Sequence, residues 1–218
     1  MPWSEMLSLV WRGLVETVYM VSVSVAISYL IGIPLGIILV ISETGHINEN
    51  KKLNSILGTI VNIGRSIPFI ILLAFITPFT RKIIGTSIGT TAAIVPLTVA
   101  AIPFVARMVE SSFKEIPWGV IEAALASGSG SMDIIRKVLI PEAMPSLILG
   151  ATITTITLIS YSAMAGAVGG GGLGDVALRY GFYRFETTLM FVVIIVLIIL
   201  IQILQMIGDK IAANIDKR

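Results

Sequence analysis

The 218-residue sequence contains no cysteine. That excludes disulfides, thiolate nucleophiles and thiolate metal centres. A single histidine, His46, lies in a polar stretch. No second ligand is near it in sequence, so it reads as a solvated surface residue rather than a metal ligand or proton relay. Charge is scarce as well: 13% of residues are Asp, Glu, Lys or Arg, against about a quarter in soluble domains. The net charge of +2 includes no basic block, so nucleic acid is not an expected partner. What fills the space is oil. Hydrophobic residues make up 56% of the chain, more than a soluble surface could carry without aggregating.

The few charges fall in clusters, and the runs between them are long. Thr17 to Ile41, Ile83 to Ala106, Ala143 to Gly174 and Thr187 to Gly208 are all uncharged. Each exceeds the roughly 20 apolar residues that a membrane-crossing helix needs. A fifth run, Asn54 to Phe79, carries one charge, Arg65, expected to snorkel toward the inner end of its helix. The sequence therefore predicts an all-α polytopic membrane protein with five spans, near 17–41, 56–79, 83–106, 145–168 and 187–208. The first run is too long for a signal-peptide core and lacks a small-residue cleavage site, so it is expected to stay. The third and fourth spans are rich in Gly, Ala, Thr and Ser, as suits helices packed inside a bundle. The fifth is bulky and branched and should face lipid.

Five spans put the termini on opposite sides. With the C-terminus inside, Lys51, Lys52, Arg107, Lys114, Arg136, Lys137, Lys210, Lys217 and Arg218 are cytoplasmic. Arg12, Arg81, Lys82, Arg179 and Arg184 are then outside. The excess favours an external N-terminus and a cytoplasmic C-terminus. Arg81 and Lys82 pull the other way.

One polar stretch, 107–142, has an orderly interior. Trp118 to Ala126 favours helix, and Gly128 and Gly130 supply a left-handed turn at its end. Ser131 is placed to cap a second helix, with Asp133 in its first turn. Pro141 is expected to change the chain's direction. Ala123 and Ala124 leave a smooth surface onto which another protein could dock. Glu122-Ala123-Ala124 is followed after three residues by Gly128, and after nine more by Val138-x-Ile140-Pro141.

This spacing resembles the pattern E-A-A-x3-G-x9-I-x-L-P of the permease subunits of bacterial ABC importers. Glu122, Ala123, Ala124, Gly128 and Pro141 match, Val138 and Ile140 are conservative replacements, and Arg107 and Ile116-Pro117 fit the usual lead-in. The resemblance covers one domain, 13–205. It implies a type I importer permease fold in the bacterial inner membrane, with 107–142 as a cytoplasmic coupling loop. The same resemblance implies a second permease chain, two cytoplasmic ABC ATPase subunits and an extracytoplasmic binding protein. ATP and Mg would sit on the ATPase, leaving this chain with no catalytic residue, cofactor or metal. Four further stretches, "NIGRSIPFIILL", "GTTAAIVPLTVAA", "ARMVESSF" and "YSAMAGAVGGGGLGDVALRYG", are similar to the methionine-uptake branch of these permeases. They imply an amino-acid substrate, with methionine the first choice and another amino acid or an osmolyte the alternative.

Other features have plainer readings. Ala167 to Asp175, "AVGGGGLGD", is not a phosphate cradle, because no Gly-Lys-Ser/Thr opens a helix after it; it reads as flexible backbone at the outer mouth. Asp175, Arg179, Arg184 and Glu186 form a charged loop, solvated or a landing surface for the external protein. Met164 lies among small residues in the fourth span and is a candidate pore constriction. A secondary transporter or channel would carry ionisable groups within its spans and paired broken helices in repeated halves. The four uncharged spans do not fit that class.

Overall fold

The computed structural model describes residues 1–216. Lys217 and Arg218, counted above among the inner positive charges, lie outside the described residues. Every regular element among the described residues is helical. In order these are α1 (Trp3–Ile41), α2 (Lys51–Ser66), α3 (Phe69–Ile84), α4 (Thr90–Lys114) and α5 (Trp118–Ala126), then α6 (Ser131–Ile134), α7 (Ile140–Gly166), α8 (Gly172–Val176) and α9 (Thr187–Ile215). A π turn, Ile135–Leu139, joins α6 to α7, and another, Ala177–Phe182, follows α8.

The fold class follows the hydropathy, but the boundaries move. α1, α4, the run from α6 through α7, and α9 are each long and apolar enough to cross a membrane. The candidate for a fifth span is the α2–α3 pair, which is bent by 104° at its break. The stretch 56–79 is therefore not one helix. Pro68 has no N–H to donate and disfavours helical backbone at Ile67, so α2 ends at Ser66. Arg65, expected toward one end of a straight span, instead closes α2 beside this break. The third span begins at Thr90 rather than near 83, because Gly85 ends α3 in the left-handed region at φ 86°. The first starts at Trp3, so Glu5, Arg12 and Glu16 lie within the helix rather than ahead of it.

Pro141 does not turn the chain. Helix runs unbroken in trace from Ser131 to Gly166, a stretch of 36 residues. The π turn immediately before Pro141 bonds the Ile140 N–H to the Ile135 carbonyl, one position further back than α-helix allows. That widened turn absorbs the ring that a regular helix would reject.

Two compact units make up the chain. The first holds residues 1–28, 67–101 and 154–205. Its core joins Met20, Phe69, Leu73, Leu97 and Leu158, with Tyr161 stacked on Phe69 at 4.5 Å. Ser24 and Ser28, one turn apart on α1, donate to the Ile94 and Thr98 carbonyls of α4. The second unit holds 29–66, 102–153 and, among the described residues, 206–216. There Gly32 and Gly36 bring α1 so close to α4 that a Cβ on either would stand 2.6 Å from Val105 or Val109. Small residues thus do set the packing, but the glycines responsible are on α1. As composition suggested, α4 is the most enclosed of the spanning helices and α9 the least, but the run through α7, also expected inside, is no more enclosed than α1.

Candidate functional site

α5 is a nine-residue helix bounded by sequence on both sides. Pro117, extended at φ −60° and ψ 133°, starts it. Gly128, at φ 79°, ends it. The Gly128 N–H donates to the Leu125 carbonyl at 2.9 Å, and the Ser129 N–H donates to the Ala124 carbonyl at 3.1 Å. Those two bonds are the paired closure that a left-handed glycine permits at a helix end. Ser131 does not cap the next helix: Gly130 occupies the cap position, and the Ser131 hydroxyl donates to Asn48 Oδ1 at 3.0 Å.

The motif residues divide into two groups. Ile121 is buried and anchors α5 in a core with Val109, Phe113, Ile134 and Leu139. Ala124, Val138 and Ile140 pack at the edge of that core. Glu122 and Ala123 are exposed, as is Gly128. Around them stand Trp118, Val120, Leu125 and Met132, all large apolar side chains left in the open. The sequence reading did not single out these four. Their signal was available, since large apolar residues in a polar hairpin need a cover. Pro141 is exposed and lines a separate cavity with Glu142 and Ser146. The structure therefore places Glu122 and Ala123 on an open face, and Val138 and Ile140 in the support beneath it.

That support is ionic and aromatic. Glu110 is buried on α4 and meets the Arg107 guanidinium at 2.6 Å and the Lys114 ammonium at 3.0 Å. Lys114 also reaches Glu43 at 3.0 Å, and Arg107 donates to Asn62. Two cations on one buried carboxylate offset the cost of burying it. His46 is not a freely solvated residue. Its ring meets Trp118 edge-on at 5.5 Å, and its Nδ1 accepts the Ile47 N–H at 2.9 Å. Residues 46–48 thus hold the hairpin at both helix starts, through Trp118 and Ser131.

Partial burial holds the His46 imidazole below its ordinary value of 6.5, with Glu43 opposing and Lys114 reinforcing the effect. The folded state therefore prefers neutral His46. Its contact with Trp118 is at full strength above pH 6.5 and weakens as pH falls below that value. With Trp3 and Trp11 replaced by Phe, Trp118 fluorescence should titrate with a midpoint below 6.5. A midpoint at or above 6.5 would show that His46 is solvated.

A second constellation surrounds Met164. The glycine segment after α7 is not loose. Gly170 packs on the Ala165 carbonyl, Gly174 lies on the backbone of Ala163, and Gly166 meets the Asp175 backbone nitrogen. Glycine serves here for close approach of one backbone to another. The segment is also bonded to α1: Glu16 accepts the Gly172 N–H at 2.9 Å and Thr17 Oγ1 accepts the Leu173 N–H at 2.9 Å. Between these anchored alanines, Met164 is 45% exposed. Of the loop charges, Asp175 pairs with Arg179 at 2.9 Å, Arg184 lies over the Tyr180 ring at 4.7 Å, and Glu186 meets the N-terminal ammonium at 3.3 Å.

An exposed helix carrying Glu122-Ala123-Ala124, mounted between spanning helices, is the feature that comparison with known proteins has to account for. Residues 32–218 match the family described as binding-protein-dependent transport system inner membrane component. The chain belongs to this family. It is 53% identical over 203 residues to the probable D-methionine transport system permease protein MetI of Vibrio cholerae, covering 93% of this chain and 90% of that one. With the D-methionine transport system permease protein MetI of Escherichia coli it shares 56% identity over 161 residues, 74% of each chain. A chain of the solved inward-facing MetNI methionine ABC transporter superposes over the full length of both with a TM-score of 0.97 at 51% identity. An amino acid ABC transporter solved with histidines gives 0.79 at 16% identity over 98% of this chain and 99% of that one, a likeness of fold alone. The chain is an all-α ABC importer permease with four candidate spans, or five with the bent α2–α3 pair.

Proposed function

We propose that this chain, through its permease domain of 13–205, forms the transmembrane path of an ATP-driven importer that carries methionine into the cytoplasm. The observation that carries the reading is the open face of α5. Glu122 and Ala123 stand there among uncovered Trp118, Val120, Leu125 and Met132, on a helix that joins two spans and is rooted by Ile121 in the core below. Such a face suits a groove on a cytoplasmic ABC ATPase, which would hold ATP and Mg. Ala124, Gly128, Val138, Ile140 and Pro141 serve it by shaping the hairpin. Five helices are few to enclose a solute path, so two copies around a twofold axis supply ten. The N-terminus is external and the C-terminus cytoplasmic, which sets the hairpin on the ATPase side and the glycine segment on the side of an external binding protein.

Transport then proceeds by alternating access. ATP draws the two ATPases together, and the α5 helices follow and open the path outward. Hydrolysis restores the inward-facing arrangement, and no bond of the substrate is broken. Met164 helps close the path at rest, an apolar side chain able to exclude water and to fold aside cheaply.

Proteoliposomes holding the complete transporter, with ATP inside and binding protein outside, should accumulate labelled methionine. Met164→Trp should reduce that uptake at least tenfold without loss of assembly. The absence of ATP-dependent methionine uptake in the wild type would refute the reading. Wild-type uptake by the Trp variant would return Met164 to simple packing.

A further inference from the structure

Arg81 and Lys82 sit in the last turn of α3 and oppose the charge bias of the other loops. No ion pair or side-chain hydrogen bond engages either of them among the described residues. Both face an open recess that they line with Thr77, Pro78 and Ser87. Thr77 and Ser87 also line a neighbouring cavity of about 150 Å³. Leu73, Ala92, Ala93, Pro96 and Ala165 line it, together with Thr80.

The hydroxyl chemistry is directional. Thr77 Oγ1 donates to the Leu73 carbonyl at 2.8 Å, and Thr80 Oγ1 donates to the Ile76 carbonyl at 3.2 Å. Each has thus spent its only proton and can offer a ligand nothing but lone pairs. Their complement is a donor such as an ammonium. Two free cations beside them complement a carboxylate. The cavity's volume of about 150 Å³ accommodates a side chain of a few heavy atoms, since an engineered cavity of about this size holds benzene.

We propose that this cavity and recess form a transient seat for the transported α-amino acid. Arg81 and Lys82 hold its carboxylate, Thr77 and Thr80 accept from its ammonium, and its unbranched apolar side chain enters the cavity. The proposal rests on the importer reading above and adds where the solute is recognised within the permease.

The test uses the complete transporter in phosphatidylcholine vesicles, with and without phosphatidylglycerol, with the binding protein supplied outside. Arg81→Gln/Lys82→Gln should lower kcat/KM for methionine uptake roughly tenfold, the effect of losing about 1.4 kcal/mol of charge-assisted bonding. Thr77→Val should lower it severalfold, and the binding protein should bind both variants with wild-type affinity. Normal uptake by the double variant, with robust wild-type uptake, overturns the seat while leaving the importer reading intact. A loss confined to vesicles containing phosphatidylglycerol also overturns it, by assigning the cations to lipid. Weakened binding-protein affinity overturns it too, by making them docking contacts. Wild-type vesicles that accumulate no methionine overturn both readings together.

Discussion

Gly174→Ala is expected to remove most folded permease from the membrane. A Cβ at Gly174 would meet the Cα, carbonyl carbon and oxygen of Ala163, all of them backbone. Backbone cannot swing aside as a flexible side chain can, so α7 and the glycine segment would have to part. Overpacking of this kind costs typically about 1–3 kcal/mol and sometimes more, a large share of a marginal native stability. The strain would fall beside Met164, which follows Ala163 directly. Gly58→Ala is the matched control: the same methyl added in α2 meets nothing within 4 Å, and alanine favours helix by up to about 1 kcal/mol. Thermal unfolding of purified protein in detergent should show Gly174→Ala far below wild type and Gly58→Ala at or above it. If Gly174→Ala unfolds at the wild-type temperature, the segment is free to lift and does not brace Met164.

That segment illustrates how far the sequence could be read. Its glycines were visible, but their purpose was not, because their partners are remote. Glu16 and Gly172 lie 156 positions apart, and nothing local marks Glu16 as more than a charge flanking a span. The break at Ile67-Pro68 was legible from the rule that proline restricts the residue before it. A span read from hydropathy does not register it, because hydropathy averages over length and ignores backbone geometry. Pro141 shows the reverse case. Proline implied a change of direction there, and only the structure shows the π turn that lets the helix run on through it. The hairpin was read most fully, because Pro117 and Gly128 act within a few residues of where they stand. Its open apolar face of Trp118, Val120, Leu125 and Met132 is not marked by the motif spacing, because exposure depends on how α5 and α6 fold against the core.

The second large effect is expected at this hairpin. Glu122→Lys should abolish ATP-driven uptake while the permease remains folded and in the membrane. Glu122 is exposed, and its side chain makes no ion pair or hydrogen bond with the described residues, so reversing its charge removes no internal side-chain bond. The effect would then arise at the proposed ATPase groove, where breaking a close charge pair costs about 2–5 kcal/mol. Gly128→Leu should act differently. Space around Gly128 is open, and its φ of 79° is the only obstacle, worth about 1–2 kcal/mol. That variant should bend or fray the hairpin and slow uptake severalfold without eliminating it. Two measurements separate the outcomes. ATPase co-purification should fall for Glu122→Lys and largely persist for Gly128→Leu. Ser129→Cys, the sole thiol in a chain without cysteine, should react with a membrane-impermeant reagent only after cells are opened. Labelling of Ser129→Cys from outside would place the hairpin on the wrong side for an ATPase, and normal uptake by Glu122→Lys would leave α5 an ordinary surface helix.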